Sequence, residues 1–551
     1  MNIGMILEMA TSAGDRAAVT AADRSLTAVR LLELARSAAH RFQGYPAVLY
    51  LGANHLAYPV ALFGAALAGI PLVPVNYRLG EHQLAGIIAR HPGALILHPA
   101  DLDALLDPDS HLEPVAGEER LALGASQPAL GEGQSAAGDG EPVTAQPAVQ
   151  DPDAIAALIY TSGTTAEPKA AVLRHRHLLA YVLNTLEFAS ADDGDAALVA
   201  APPYHIAGLT NLLSNLYTGR RVVYLAAFDA GEWLATVRRE RITHAMVVPT
   251  MLARIVAEAG GAGIGSAEAG SARTGSGGTG SVGTGGAEAG NAGIGGAEAD
   301  SVGTGRAEAG TPTLRSLSYG GARTPRSVLE RALEIFPKVG FVNAYGLTET
   351  ASSVAVLGPE DHRIASAASA PEVRDRLGSV GRALPGIEIQ IRGYDDTPAG
   401  VGETGLVFVR GEQIAGEYGG HSVLDADGWF ATRDLGRLDA DGYLFIEGRA
   451  DDTIIRGGEN IAPAEIEDVL LAHPGIVDAA VIGLSDPEWG QRLVAVLVGT
   501  GDPAEIQQWV RDRLRSSKTP DAIVFRAELP KTETGKLLRR TLLAELETTH
   551  A

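Results

Sequence analysis

The chain has 551 residues, a formal net charge of −23 at neutral pH and no cysteine. Its length allows roughly three to four domain-sized units. The acidic balance argues against a nucleic-acid partner, and the lack of cysteine excludes disulfides, thiolate metal sites and a cysteine nucleophile. Because the N-terminus lacks a leader pattern and no apolar run approaches transmembrane length, we expect a cytoplasmic protein with no transmembrane segment.

Short apolar runs alternate with helical patterns over residues 46–346. An apolar helical stretch, HLAYPVALFGAALAG, separates the first two strand-like runs. This rhythm is typical of βαβ units in a layered α/β architecture. In chain order, the predicted strands are PAVLYLG, IPLVPVN, ALILH, AALIYTS, AALVAAP, RVVYLA, HAMVVPT and FVNAYG.

Two segments interrupt this pattern. Residues 114–150 are rich in Gly, Ala, Pro, Glu and Ser and indicate a low-complexity linker. Residues 260–310 repeat units such as GGAEAG and GSVGTG with a period of roughly ten residues. An interaction module or β-solenoid is the alternative, but the apolar content is too low to bury a core and glycine is costly to order. We therefore predict a disordered insertion between helix TMLARIVAEA and strand LRSLSYGGA.

The pattern changes twice in the last third of the chain. From about Ile387, closely spaced strands (IEIQIRG, GLVFVRG and GYLFIEG) are joined by Gly and Asp turns, which predicts a small β subdomain. After Arg449 a compact α+β pattern follows. It runs through helix AEIEDVLLAH, strands DAAVIGL and RLVAVLVG, helix AEIQQWVRDRLR, strand AIVFR and a final helix.

A polar loop follows one predicted strand at Tyr160 to Ala170, which reads YTSGTTAEPKA. Its hydroxyls and backbone N–H groups can surround phosphate oxygens, and Lys169 supplies a positive charge. The loop is not a Walker motif, because GxxxxGK[ST] is absent. In isolation, a simple turn between a strand and a helix explains it as well.

Three further motifs carry groups suited to a nucleotide. NAYGLTET contains Tyr345 for stacking, Thr348 for phosphate and Glu349 as an oxygen ligand for Mg²⁺. The paired glycines of SYGGA allow a planar base to approach the backbone. GWFATRDLG contains Asp434, which could accept both ribose hydroxyls or could be a turn aspartate.

Two C-terminal strings complete the set: GRADDTIIRGGENIAPAEIE at Gly448 to Glu467, and PKTETGK, which ends at Lys536. Together with the phosphate loop, these motifs resemble the acyl- and aryl-CoA ligases of the adenylate-forming superfamily, over essentially the whole chain apart from the repeat insertion. The resemblance implies an α/β fold with a large N-terminal domain of layered α/β units, a small β subdomain and a small mobile α+β C-terminal domain. We expect these domains at residues 1–450 and 451–551, the second acting as a lid.

The resemblance also implies the site residues. The phosphate contacts are Thr161, Ser162, Gly163, Thr164, Thr165, Lys169 and Thr348; the adenine contacts are Gly320, Gly321, Ala322, Asn343, Ala344, Tyr345 and Gly346; Glu349 binds Mg²⁺, Asp434 the ribose and Arg449 the ribose or a phosphate, and Lys536 is the catalytic lysine. Asp451 is the implied hinge, with a solvated turn residue as the alternative, and Gly457 and Gly458 belong to the loop implied for the second step. Trp489 and Lys518 are candidate CoA contacts, and packing or solvated surface explains each of them equally well.

The chain departs from the family pattern at three positions. Ala166 and Ala170 stand where glycine is common, and Arg433 stands where glycine usually precedes Asp434. If residue 166 needs a positive φ, alanine costs about 1 kcal/mol, which should slow nucleotide binding without abolishing it.

The segment PPYHIAG, Pro202 to Gly208, separates branches of the superfamily. It contains no carboxylate to hold a substrate amine, which argues against an α-amino acid. It is similar to the P-x-x-H-x-x-G stretch of CoA ligases, in which the histidine, here His205, lines or gates the acyl tunnel. A packed core histidine is the alternative.

The resemblance implies a two-step reaction with ATP, Mg²⁺ and CoA. A small-molecule carboxylic acid, fatty or otherwise non-amino, attacks the α-phosphorus of ATP, and the CoA thiol then attacks the acyl-adenylate after the C-terminal domain rotates. The first alternative is an enzyme that loads an acyl carrier protein. A more remote one is a non-catalytic scaffold.

Overall fold

The computed structural model describes residues 1–110, 151–161, 169–261, 311–457, 459–487, 489–532 and 535–550. All of the predicted linker at 114–150 and all of the predicted insertion at 260–310 except Gly260 and Gly261 lie outside these ranges. Ser162, Gly163, Thr164 and Thr165 of the phosphate loop, Ala166, and Gly458 also lie outside the described residues.

The described residues form fourteen α-helices and twenty-five strands. The helices are α1 (Gly4–Ala10), α2 (Ala28–Arg41), α3 (Ala57–Ala68), α4 (Glu81–Ala89), α5 (His175–Thr185), α6 (Ile206–Thr218), α7 (Ala230–Arg239), α8 (Pro249–Ala259), α9 (Arg326–Ile335), α10 (Pro359–Ala367), α11 (Pro371–Arg374), α12 (Pro463–Leu471), α13 (Pro503–Arg511) and α14 (Arg539–His550).

The strands are β1 (Ala17–Ala21), β2 (Arg24–Thr27), β3 (Val48–Tyr50), β4 (Leu72–Pro74), β5 (Leu95–Leu97), β6 (Ile155–Thr161), β7 (Lys169–Arg174), β8 (Ala196–Val199), β9 (Arg221–Tyr224), β10 (His244–Val247), β11 (Ser316–Gly320), β12 (Gly340–Leu347), β13 (Ser352–Leu357), β14 (Arg382–Ala383), β15 (Glu388–Arg392), β16 (Gly405–Arg410), β17 (Glu417–Tyr418), β18 (His421–Ser422), β19 (Phe430–Leu438), β20 (Leu444–Arg449), β21 (Ile454–Arg456), β22 (Glu459–Ile461), β23 (Ile476–Asp486), β24 (Gly490–Gly499) and β25 (Ala522–Phe525).

Two large sheets organise the N-terminal part of the described chain. One has nine strands in the order β14-β13-β12-β11-β10-β8-β9-β1-β2, and the other has seven in the order β18-β17-β7-β6-β4-β3-β5. The main hydrophobic core takes residues from both sheets and from α2, α3 and α6, so these helices form the layer between the sheets. A second core, which includes α7, α8 and α9, packs on the nine-stranded sheet.

Helix α3 illustrates why this middle layer forms. Its first ten residues, Ala57 to Ala66, are all buried, and a helix that is apolar on every side must be surrounded by protein or lipid. Here protein surrounds it, because α3 contributes most of its length to the core between the sheets. Within the described ranges, no helix is both long and apolar enough to cross a membrane.

The C-terminal third has its own packing. Strands β15, β16, β19 and β20 form an antiparallel four-stranded sheet, and β23, β24 and β25 form a separate three-stranded sheet. Residues of α12 and α13 cover one side of that sheet and residues of α14 cover the other. The predicted fold class, α/β with a small α+β unit at the C-terminus, is therefore confirmed, while a boundary between residues 450 and 451 remains a prediction.

One expectation about the N-terminal part was incomplete. The alternating pattern predicts βαβ units, yet β1–β2, β6–β7 and β12–β13 are antiparallel pairs. The β6–β7 pair matters for the site, because it places Thr161 opposite Lys169. The sequence analysis did not predict this hairpin, because the glycine and threonines between the two strands indicate a phosphate-binding loop between a strand and a helix.

The insertion gives a testable prediction. If residues 262–310 form a disordered excursion, joining Gly261 to Thr311 through a short Gly/Ser linker should leave folding and activity intact. Helix–strand connections are usually about 2–6 residues long, and Gly260, Gly261 and residues 311–315 already supply seven residues between α8 and β11. Each halving of the loop length changes the entropic free-energy cost of closing the loop by only about 0.6 kcal/mol.

Thermal melting and pyrophosphate release measure this deletion against the full chain. Ala259 is kept because it packs on the core of the nine-stranded sheet. A deletion variant that is recovered only as insoluble protein would indicate that the repeats are structural.

Candidate active site

Strands β11 and β12 bring two predicted motifs side by side. They pair in parallel, with Gly320 opposite Ala344. A Cβ on Gly320 would lie 2.2 Å from the Ala344 carbonyl oxygen, and a Cβ on Gly346 would lie 1.9 Å from the Ser352 carbonyl oxygen. Both glycines are therefore required by the neighbouring backbone. The structure supplies a packing reason for them that is independent of a bound base.

The residues around these glycines form the edge of the predicted adenine site. Gly321 has a φ of +84°, which turns the chain sharply after β11. Ala322 follows at this turn and is partly exposed. Asn343 donates from Nδ2 to the Ser379 carbonyl oxygen at 3.0 Å, so its amide is engaged within the protein. Its assignment to the base stays a prediction.

Asp434 is a buried carboxylate with a partner on each oxygen. Its side chain lies in β19 and not in a turn, and the residue is only 4% exposed. Arg449 Nε lies 2.7 Å from Oδ1, and the Tyr345 hydroxyl donates to Oδ2 at 2.5 Å. Burial raises the pKa of Asp434, and the positive charge of Arg449 and the Tyr345 hydrogen bond oppose that rise.

Glu349 lies in the turn Thr348–Thr350 that follows β12. Its Oε1 accepts a hydrogen bond from the hydroxyl of Tyr418. Its backbone carbonyl accepts from the N–H groups of Ala415 at 2.9 Å and Gly416 at 3.1 Å. Burial and the carboxylate of Glu349 raise the pKa of Tyr418, so its phenol remains a neutral donor.

Sequence reasoning missed Tyr418. No motif points to it, and its contact with Glu349 spans 69 residues of chain. The contact becomes visible through the strand register. Tyr418 lies opposite Ala171, which directly follows Lys169 and Ala170 of the predicted phosphate loop.

Lys536 enters this group from the C-terminal part of the chain. Burial and the positive charge of Arg449 lower its pKa, whereas the carboxylates of Asp452, Asp434 and Glu349 oppose that shift. The side chain still reaches solvent. A lysine, two carboxylates and an arginine from distant segments therefore converge on one place.

A close contact positions the turn that carries Lys536. Gly535, with a φ of +78°, leaves no room for a side chain, because a Cβ there would lie 2.4 Å from Thr250 Cγ2. The N–H of Lys536 donates to the Thr532 hydroxyl at 3.0 Å, which closes the turn.

The described part of the phosphate loop consists of its two ends. The Thr161 hydroxyl donates to the Lys169 carbonyl oxygen at 3.3 Å, and the Lys169 side chain is exposed. This hydrogen bond joins the two described ends of the loop at the end of the β6–β7 pair.

His205 is the N-cap residue of α6. The helix can begin here because Gly208 passes close to the Pro202 carbonyl oxygen, which a Cβ would approach to 2.5 Å. The His205 ring lies 4.8 Å from the ring of Tyr204. Its predicted role at an acyl tunnel is not tested by these contacts.

The predicted hinge lies beside one of the family departures. Asp451 is in the turn Ala450–Asp452, and its Oδ2 lies 3.6 Å from Arg433 Nη1. Arg433 has a φ of +63°, a left-handed conformation that costs a non-glycine residue roughly 1 kcal/mol. This backbone geometry explains why glycine suits the position.

Arg456 lies between three of the residues predicted for CoA or the second step, Gly457, Trp489 and Lys518. The Gly457 N–H donates to the Trp489 carbonyl oxygen at 2.8 Å, and the exposed Trp489 ring lies 5.5 Å from the Arg456 guanidinium carbon. Arg456 also donates to the Ser517 carbonyl oxygen at 3.1 Å, next to Lys518. Lys518 itself pairs with Glu465, so its ammonium is partly neutralised.

The donors available for a divalent cation are few. Among the described residues, no group of three or more His, Cys, Asp or Glu side chains could hold a metal ion. A hard cation such as Mg²⁺ does not need such a cage, because it is usually held by one or two carboxylates together with substrate phosphates. The single carboxylate of Glu349 fits that arrangement.

The two-sheet fold, the C-terminal α+β unit and this convergence of lysine and carboxylates define an adenylate-forming enzyme. A family model described as AMP-binding enzyme matches residues 7–419, and one described as AMP-binding enzyme C-terminal domain matches residues 465–536. The chain belongs to the AMP-binding enzyme family.

Individual relatives match nearly the whole chain. It is 32% identical to a feruloyl-CoA synthase from Amycolatopsis sp over 537 residues, 94% of each protein. It is 30% identical to the fatty acid–[acyl-carrier-protein] ligase ScoC of Streptomyces coeruleorubidus over 510 residues, 90% of this chain and 86% of ScoC. A solved structure of o-succinylbenzoate coenzyme A synthetase from Bacillus subtilis, in complex with ATP and a magnesium ion, superposes with a TM-score of 0.70 at 25% identity and 98% coverage of both chains.

Proposed function

We propose that this protein is an ATP-dependent carboxylic acid–CoA ligase that acts through an acyl-adenylate. The observation that carries the proposal is the electrostatic coupling of Lys536 to Asp434 and Glu349, since the three residues belong to different segments of the chain. The relatives named as CoA ligases support the same reaction.

In the first step, the carboxylate of the acid attacks the α-phosphorus of ATP, and pyrophosphate leaves. Asp434 binds the ribose hydroxyls and thereby fixes the α-phosphate relative to Lys536. The ammonium of Lys536 stabilises the negative charge that develops in the transition state. Glu349, together with the ATP phosphates, would hold Mg²⁺, which would neutralise phosphate charge.

In the second step, the CoA thiol loses its proton and attacks the acyl carbonyl, and AMP leaves. The surface of Gly457 and Trp489 is suited to this step, with an exposed aromatic ring and a glycine of φ +56°. Rotation of the C-terminal domain about Asp451 moves Lys536 away from the nucleotide and brings this surface to the acyl-adenylate.

The acid is fatty or otherwise non-amino, because PPYHIAG offers no carboxylate to hold an amine. The acceptor alternative is an acyl carrier protein, and the relative named as a fatty acid–[acyl-carrier-protein] ligase supports keeping it. A cytoplasmic location belongs to the same proposal, since ATP and CoA are cytoplasmic substrates.

A pyrophosphate-release screen over fatty, aryl and dicarboxylic acids, run with and without CoA, tests the proposal. We expect release that depends on one class of acid, with the matching acyl-CoA detected by mass spectrometry. Release without acyl-CoA, together with acylation of a carrier protein, would favour the alternative acceptor. The absence of acid-dependent release with every class would contradict adenylation itself.

A further inference from the structure

The segment Ala415–Tyr418 is fastened to Glu349 at three points. The Glu349 backbone carbonyl accepts hydrogen bonds from Ala415 and Gly416, and the Glu349 carboxylate accepts one from the Tyr418 hydroxyl. These backbone hydrogen bonds fix the distance between Ala415–Tyr418 and Glu349 independently of the side-chain contact. The phenol acts on a carboxylate whose own main chain is already held.

The backbone of Tyr418 is fixed from the opposite side as well. Its strand pairs with β7 and β18, with Tyr418 opposite Ala171 and His421. The preceding residue, Glu417, is buried and forms a two-pronged ion pair with Arg174 of β7, at 2.8 and 2.9 Å. Charge-assisted pairs of this geometry hold orientation well. Tyr418 thus projects from a rigid support.

The hydrogen bond from Tyr418 makes the two carboxylate oxygens of Glu349 inequivalent. A carboxylate can accept several hydrogen bonds or bind a cation, and Oε1 is used by Tyr418. A second interaction through Oε2 leaves the Tyr418 contact intact. Groups that orient a metal-binding side chain in this way typically change metal affinity by about 10- to 100-fold when they are removed.

We propose that Tyr418 is a positioning residue that holds Glu349 in the orientation needed to bind the divalent cation of the nucleotide. This inference rests on the proposed function for the role of Glu349. In this role Tyr418 acts through the carboxylate of Glu349, which its hydroxyl contacts.

Tyr418→Phe tests the proposal, because it removes one hydroxyl and keeps the ring. Mn²⁺ binding is followed by the electron paramagnetic resonance signal of the free ion, in the presence of the non-reactive ATP analogue α,β-methylene-ATP. We expect Mn²⁺ to bind roughly tenfold more weakly to the variant. In turnover with Mg²⁺, the half-saturating Mg²⁺ concentration should rise while the KM for the acid stays unchanged.

Tyr394→Phe is the matched control, since Tyr394 is 68% exposed and should leave all of these quantities unchanged. Melting temperatures establish that both variants are folded. Equal Mn²⁺ affinity of wild type and folded Tyr418→Phe would overturn the proposal. A parallel rise in the KM for the acid would also overturn it, because a general disturbance of the site predicts that result.

A double-mutant cycle separates this inference from the proposed function. If Tyr418 acts through Glu349, then Tyr418→Phe should have no further effect on Mn²⁺ binding in a Glu349→Gln background. A full tenfold effect in that background would overturn the positioning role. Unchanged Mn²⁺ binding in Glu349→Gln alone would overturn it too, while acid-dependent pyrophosphate release would independently decide whether the protein is a ligase.

Discussion

Replacing Lys536 with alanine should reduce acyl-adenylate formation by at least ~10²-fold, the scale expected for losing one preorganised charge from a transition state. The ammonium interacts electrostatically with Asp434, Glu349 and Asp452, and in its proposed role it faces the α-phosphate of ATP. The variant should remain folded, because the side chain still reaches solvent. Acid-dependent release of pyrophosphate measures the loss.

The second half-reaction provides the internal control. Thioester formation from supplied acyl-adenylate should survive in Lys536→Ala, since Lys536 acts only in the first step. Lys338→Ala, at an exposed surface lysine, should leave both steps unchanged. A Lys536→Ala variant that adenylates at nearly the wild-type rate would remove Lys536 from its proposed role.

Asp451→Pro should separate the two half-reactions. Proline fixes φ near −65° and removes the backbone N–H, so a residue that must change its torsions between two domain arrangements becomes locked. Lys536 is coupled electrostatically to Asp434 and Glu349, and under the proposed mechanism this arrangement is the adenylating one. We therefore expect nearly normal pyrophosphate release in a single turnover and strongly suppressed transfer to CoA, both measured by rapid quench.

Asp451→Ala is the matched control for this variant. It removes the 3.6 Å pair with Arg433 but leaves the backbone free. Both half-reactions should persist in the alanine variant, because an exposed ion pair of this kind is worth only about 0–1 kcal/mol. Equal loss of both steps in Asp451→Pro, or loss of neither, would count against a hinge at this position.

Local pattern was sufficient to predict the fold class and most individual elements. The eight strand-like runs from PAVLYLG to FVNAYG correspond to β3–β6, β8–β10 and β12, since buried parallel strands are continuous apolar runs that stand out in the sequence, whereas β7 was not predicted as a strand. The division of these strands between two sheets was not predicted. Strand order depends on long-range pairing, and nothing within AALIYTS specifies that β6 turns back antiparallel to β7.

Among the site residues, too, some could be predicted from local sequence and others depend on long-range contacts. Lys536, Asp434 and Glu349 were selected by motif, and the structure brings them together although they are far apart in the chain. Tyr418 was missed because its importance arises only from contact with Glu349. The reason for Arg433 could not be obtained from sequence either, since a positive φ at an arginine leaves no signature in residue type.

The pairing of Asp434 with both Arg449 and Tyr345 has a consequence for nucleotide affinity. Each carboxylate oxygen can accept a second hydrogen bond, so ribose hydroxyls can add to the existing partners without displacing them. The net gain from each such bond is only about 0.5–1.5 kcal/mol, because the ribose gives up hydrogen bonds to water. The ribose carboxylate would then contribute chiefly to alignment of the nucleotide, and most of the affinity would have to come from the base and the phosphates.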